Sequence, residues 1–192
     1  FIGLGGIFGF VSFIVELIPR AAIAPILIFV ALDIMTQAFK ACPIRHAPAV
    51  CFAYIPTVAR LLQIKLSNPS VVPSANFNAL LLSEGKSISE LLVTIALGNG
   101  FILTAMLWGG FIAKLIDREL KKSSFYLLIS AVLTFFGVIH SSIPDGNMYL
   151  PWNLPDNLRV IPYQFTGAYL IFALMLYALS FTKESKEKFV EE

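Results

Sequence analysis

The chain is expected to be an all-α integral membrane protein with about six transmembrane helices. Three observations predict this: apolar runs about as long as a bilayer is thick, short charged turns between them, and little charge elsewhere. The clearest run is Ala21–Phe39, whose one ionisable residue is Asp33. At 1.5 Å rise per residue it reaches about 28 Å, close to the hydrocarbon thickness of a membrane. A helix bathed in water would show polar residues every few positions, and this one does not. Over the whole chain, 57% of residues are hydrophobic and 14% charged, with a mean hydropathy of +0.80. A soluble domain carries about 25% charged residues, so an ordinary soluble fold is excluded. The formal net charge of +2 is too small to point to nucleic acid.

Span I is Phe1–Ile18, which holds Gly3, Gly5, Gly6 and Gly9. Small residues at such spacing let a neighbouring helix approach closely. A phosphate loop would need a preceding strand and a following Lys-Ser/Thr, and neither is there. The chain begins at Phe1 inside this apolar run, with no basic region before it and no small-residue cleavage site after it, which argues against a signal peptide. It reads as the C-terminal part of something longer. Span II follows from Pro19, which suits a first helical turn, and Pro25 is expected to kink it. A basic turn, Lys40, Arg45 and His46, ends it.

Span III, about Ala47–Leu66, contains Pro48, Pro56 and Arg60. It crosses only if Arg60 snorkels or faces a polar interior; a broken or re-entrant helix is the competing reading. Residues 68–89, rich in Ser, Asn and Pro, read as a loop outside the hydrocarbon. Span IV is the longest, about Leu91–Ile116, with Gly98-Asn99-Gly100 in its first half and Gly109-Gly110 in its second. The charged run Lys114–Lys122 follows. Span V is about Ser124–Ser141. The loop Ser142–Pro162 carries four prolines besides Tyr149 and Trp152, aromatics suited to headgroup depth. Span VI is about Tyr163–Phe181, and Lys183–Glu192 is a charged tail.

The basic residues orient the spans. Nine of the 14 Lys and Arg lie in the turns after spans II and IV and in the tail, so that side should be cytoplasmic, the C-terminus with it.

Four residues are candidates for gating or coupling. Asp33 and Gln37 form an i, i+4 pair on one helix face, and an acid within a span suggests proton or cation coupling. The plainer alternative is that Asp33 lies one turn from the cytoplasmic end and reaches water or Lys40. Arg60 suggests a buried partner for Asp33 or Glu16, or a side chain snorkelling to an interface. Asn99, between glycines, suggests an unwound helix segment of the kind that lines transporter sites, against plain close packing of helices. His46 and His140 show no metal spacing, and Cys42 and Cys51 read as free thiols. No catalytic arrangement, metal site or cofactor motif is expected, so the chain does not read as an enzyme.

The run I-P-R-A-A-I-A-P-I-L-I-F-V-A-L-D-I-M-T-Q-A-F, then P-x-R-H-A-P-A-V, then I-P-x-x-A-R-L-L-x-I-K-L, resembles the nucleobase–cation symporter family of xanthine, uracil and hypoxanthine/guanine permeases. The match covers about Phe1–Leu66, and Gly98–Leu120 matches more loosely. The resemblance implies a fourteen-span fold of two inverted seven-span repeats, divided into a core and a gate domain. Residues 1–18 would end the last core helix, 19–122 would form the C-terminal half of the gate, 123–182 an extra helical hairpin, and 183–192 a cytoplasmic tail. It implies import of a purine or pyrimidine with a proton or sodium ion across a bacterial inner-membrane type of bilayer. The family's substrate carboxylates would precede Phe1, so no substrate-binding residue is carried over. Implied partners are the bilayer, the preceding spans, a nucleobase and a coupling cation, with a homodimer among the arrangements open to it. An anion permease of the same architecture and a non-transporting membrane scaffold are the alternatives. Alone, residues 1–192 are expected to transport nothing.

Overall fold

The computed structural model describes residues 19–73 and 90–182. Among these the secondary structure is helical, with no strand. Spans I and the tail, with most of the 68–89 loop, lie outside the described residues. The chain divides into two compact units, Phe1–Ile44 and Arg45–Glu192.

The first unit contributes helix α1, Arg20–Ala41, with Pro19 at its N-cap and Lys40 in its last turn. The helix continues through Pro25, and its described side chains are almost all exposed, Phe29 at 75%. Within it Gln37 Nε2 donates to Asp33 Oδ2 at 2.6 Å, so the i, i+4 register expected of this pair is met.

A 3-10 turn at the boundary, Ile44–His46, leads into the second unit's α2, Ala47–Ala53, and α3, Ile55–Leu66. Each helix has a proline in its first turn, Pro48 and Pro56, where the missing N–H costs nothing. The prolines therefore start helices here, and the break falls at Tyr54. Ile44–Leu66 is nevertheless long and apolar enough to cross a membrane, as is Leu158–Leu179. Helices α4, Glu90–Gly98, and α5, Phe101–Ile116, form a third candidate only if taken together, because they are bent by 84° at the residues between them. Span IV, expected as the longest span, is thus a bent pair, broken where the sequence left an unwound segment as one reading. The cause is Gly100, whose φ of 70° is left-handed and ends α4's hydrogen-bond ladder.

Helix α6 spans Leu120–Phe135 and α7 spans Asp156–Leu179, joined through a 3-10 turn at Pro151–Asn153. Both boundaries correct the sequence reading. Span V was expected to run to Ser141, but Gly137 at φ 69° closes α6 in a Schellman arrangement: Val138 N–H donates to Leu133 O and Gly137 N–H to Thr134 O. Span VI was expected from Tyr163, but the helix starts seven residues earlier. Pro155 caps it, Asp156 sits in the first turn where the helix dipole favours an acid, and Pro162 is carried inside. Of the six spans expected, span I lies outside the described residues; among the described ones, two helices are long and apolar enough to cross a membrane, or three with the bent pair taken as one.

The core of this unit lies between α6 and α7, where Leu127 and Ala131 meet Tyr169, Ala173 and Leu176. A second cluster packs Leu92 and Ala96 of α4 against Ile161 of α7. Helix α5 closes on α6 at Gly110, where a Cβ would come within 2.6 Å of the Tyr126 ring.

Candidate functional site

The corner between α4 and α5 is built from three residues with separate duties. At Gly98 a Cβ would collide with Gln63 Oε1 and lie 3.1 Å from Arg60 Cα, so the glycine lets α4 lie against α3. Gly100 supplies the left-handed turn, and a Cβ there would stand 2.5 Å from Val138 O and 2.8 Å from Ile139 Cα. The segment after α6 therefore enters the corner itself. Between the glycines, Asn99 is 4% exposed and holds that segment. Its Nδ2 donates to Ser141 O at 2.9 Å and to Ile143 O at 2.8 Å. Its backbone oxygen accepts from His140 N–H at 3.1 Å.

The network continues onto α3. Gln63, 3% exposed, donates from Nε2 to Asn99 Oδ1 at 3.0 Å and to Pro144 O at 3.2 Å. Its Oε1 accepts from Arg60 Nη1 at 2.9 Å. Arg60 is thus half-buried and bonded to a buried polar side chain. It borders an open crevice of about 360 Å³ that also reaches Asp145, Gly146 and the first turn of α5. A larger cavity of about 730 Å³, bordered by Met148, Tyr149 and Leu158, contains none of the candidate residues.

Of the four candidates, the structure brings Arg60 and Asn99 together through Gln63. Asp33 and Gln37 pair in the other unit. Glu16, once a possible partner for Arg60, lies outside the described residues. Asn99 does sit at an unwound point, and it is also tightly packed, so the two readings of Gly98-Asn99-Gly100 describe one feature. Its amide is occupied by the chain's own carbonyls.

Two residues here were not among the four candidates, Gln63 because it was not singled out and His140 because it was read only as lacking metal spacing. Gln63 is three residues from Arg60 and so shares its helix face, a signal available in the spacing. His140 is fully buried, with φ 55°. Its Nδ1 faces Ala96 O at 3.3 Å, a pure acceptor, so Nδ1 carries the proton. Nε2 then accepts from the Tyr169 hydroxyl at 2.7 Å, whose oxygen accepts from Trp108 Nε1 at 2.7 Å. Every donor in this chain finds an acceptor with the imidazole neutral. Phe165 lies against the ring, centroids 4.6 Å apart. This buried bridge ties the α6–α7 connection to α4, α5 and α7 just beneath the corner.

A charged cluster lies at the C-terminal end of α5. Asp117 pairs with Arg45 at 3.1 Å, His46 at 2.7 Å and Lys114 at 3.5 Å, while Glu119 pairs with Lys114 and Lys122, each at 3.0 Å. The basic turn before α2 and the charged run after α5 therefore share one end of this unit. Burial pushes the Asp117 carboxyl up, but the His46 hydrogen bond and the charges of His46, Arg45 and Lys114 outweigh it and hold the group below its ordinary 3.8. A carboxylate with a lowered pKa contributes stability above its unfolded value, and that contribution is lost as pH falls through the folded value. Asp117→Asn is expected to cost about 1–2 kcal/mol at pH 7. The gap from wild type should then close on acidification below about pH 4. Unfolding midpoints measured from pH 7 to pH 3 test this; a gap that is constant across the range contradicts it.

Among the described residues no group of His, Cys, Asp and Glu is placed to hold a metal ion, and Cys42 and Cys51 are free. Comparison with known proteins returns no match to the chain, whether by family model, curated sequence or solved structure.

Proposed function

We propose that the chain works within a secondary-active membrane permease that imports nucleobases with a proton or sodium ion, its described helices belonging to the gate rather than to the substrate site. The observation that carries the reading is the helix broken at Gly98-Asn99-Gly100 beside a buried polar network. Discontinuous helices stabilised by polar side chains recur in transporters, where irregular backbone at membrane depth must be enclosed by protein. The resemblance of Ile18–Leu66 to nucleobase–cation symporters supplies the substrate class, and the apolar helices agree with a membrane location. A gate assignment fits Asn99 and Gln63, whose amides are already bonded to the chain itself.

Uptake of labelled uracil, xanthine and hypoxanthine by cells expressing the whole reading frame tests the proposal. Asp33→Asn should lower uptake several-fold at unchanged membrane abundance, since the pair with Gln37 loses its charge. Full uptake by that variant would place Asp33 among solvated residues, and absence of uptake of all three bases would defeat the substrate class. A non-transporting scaffold is the second reading, favoured by the same self-occupied corner; it predicts no uptake of any solute and intact assembly with a partner.

A further inference from the structure

His140 lies in the connection between α6 and α7, outside the candidate spans, yet it is fully buried. Its ring meets Ala96 O of α4, Trp108 of α5, and Phe165 and Tyr169 of α7. These neighbours suit the neutral imidazole: Nδ1–H meets a carbonyl, Nε2 meets a hydroxyl, and the remaining contacts are aromatic. Of them only Tyr169 can titrate, and none carries a charge. The charged side chains of the adjoining elements stand apart. Glu90 opens α4, Lys114 is in the last turn of α5, and Asp156 pairs with Arg159 in the first turn of α7. Arg60 and Asp145 border the crevice at Asn99. None of these is bonded to the ring.

A second ring proton has no place here. On Nε2 it would point at the Tyr169 oxygen, 2.7 Å away, which already accepts from Trp108 Nε1. The tyrosine would have to turn its own hydrogen away from the ring, and among the described residues its hydroxyl has no further partner to receive it. The charge itself would be buried without a counter-charge. The same residue fastens the corner through its backbone. His140 N–H donates to Asn99 O, and the neighbouring carbonyls of Ser141 and Ile143 take the Asn99 amide. We infer that His140 is an acid-sensitive latch: when its imidazole takes up a proton, the 138–146 connection leaves the corner between α4 and α5. The inference rests on this buried chain of bonds and not on transport. Burial pushes the imidazole down from its ordinary 6.5 to about 4. The released state therefore binds the proton more tightly, and release grows as pH falls from 6.5 toward 4.

Hydrogen exchange of the whole chain in detergent tests this, read as protection factors so that the pH dependence of the exchange chemistry drops out. Between pH 7.5 and pH 5 the protection of amides 138–143 should fall about thirty-fold, the ratio set by pKa values of 6.5 when released and about 4 in place. The cores of α6 and α7, around Leu127 and Ala173, should keep theirs. His140→Gln, polar but unable to take up a proton, should show no such fall. His46, the other histidine, remains in that variant, so a fall that survives there belongs elsewhere. Tyr169→Phe removes the hydrogen bond that favours the neutral ring and should move the release to higher pH; it reports even if the glutamine variant folds poorly. Four results overturn the inference: equal wild-type protection at the two pH values, a glutamine variant that opens with acid as wild type does, helix cores that lose protection together with the connection, or a Tyr169→Phe variant that opens at the wild-type pH.

Discussion

Gly100→Ala should lower the stability of the chain by about 3 kcal/mol or more, through left-handed strain and a forced backbone displacement together. The φ of 70° alone disfavours a side chain. The larger effect is that a methyl group would press on Val138 O and Ile139 Cα, both backbone atoms that no rotamer change can move aside. The 136–146 segment would have to withdraw, and the Asn99 and His140 hydrogen bonds would go with it. Gly109→Ala is the matched comparison. A Cβ there meets Ala53 Cβ at 3.5 Å and Ala49 O at 3.8 Å, ordinary contact, inside a regular helix. It should be neutral or stabilising by up to about 1 kcal/mol, since alanine favours helix over glycine. Thermal unfolding of both variants in detergent decides the matter. Equal midpoints for the two would mean that the corner does not depend on the approach of the α6–α7 connection.

What the residues made legible was composition and register. The apolar runs marked helices, the Asp33–Gln37 spacing gave a real hydrogen bond, and Pro48 and Pro56 pointed to a break in span III, which falls at Tyr54 with each proline in the first turn of a helix. What they hid was which glycine interrupts a helix. Gly98, Gly100, Gly109 and Gly110 all stand in one apolar stretch, and hydropathy treats them alike. Of these four only Gly100 has positive φ, although α3 closes on Gly98 and the Tyr126 ring on Gly110 as tightly. The end of α6 was hidden too: Val138 and Ile139 are as apolar as the helix before them, yet they lie past its end, half-buried and buried respectively. The polar network was half visible. Asn99 and Arg60 stood out as polar residues within spans, whereas Gln63 was not singled out. The partners they find are mainly backbone carbonyls of Ser141, Ile143 and Pro144, and no sequence pattern announces a carbonyl.

Those carbonyls make Asn99 the residue whose chemistry, rather than size, is most demanding. Asn99→Asp keeps the shape and should still destabilise the chain by about 3–5 kcal/mol at neutral pH, as an uncompensated buried charge does. The wild-type amide points two N–H groups at two acceptors and its oxygen at the Gln63 N–H. A carboxylate keeps the last bond and turns an oxygen toward Ser141 O and Ile143 O, replacing attraction by repulsion. Asn99→Ala removes the amide without adding charge, leaving Ser141 O, Ile143 O and one Gln63 N–H short of a partner, a loss of about 2–4 kcal/mol. The aspartate should therefore be the worse of the two although it is the closer in shape. Acidification should narrow the difference, because a protonated carboxyl regains one donor. The double variant Asn99→Ala with Gln63→Ala should cost less than the sum of the singles, since the two side chains satisfy each other. An aspartate variant as stable as wild type, or singles that simply add, would show that the α6–α7 connection stays in the corner without the amide's help.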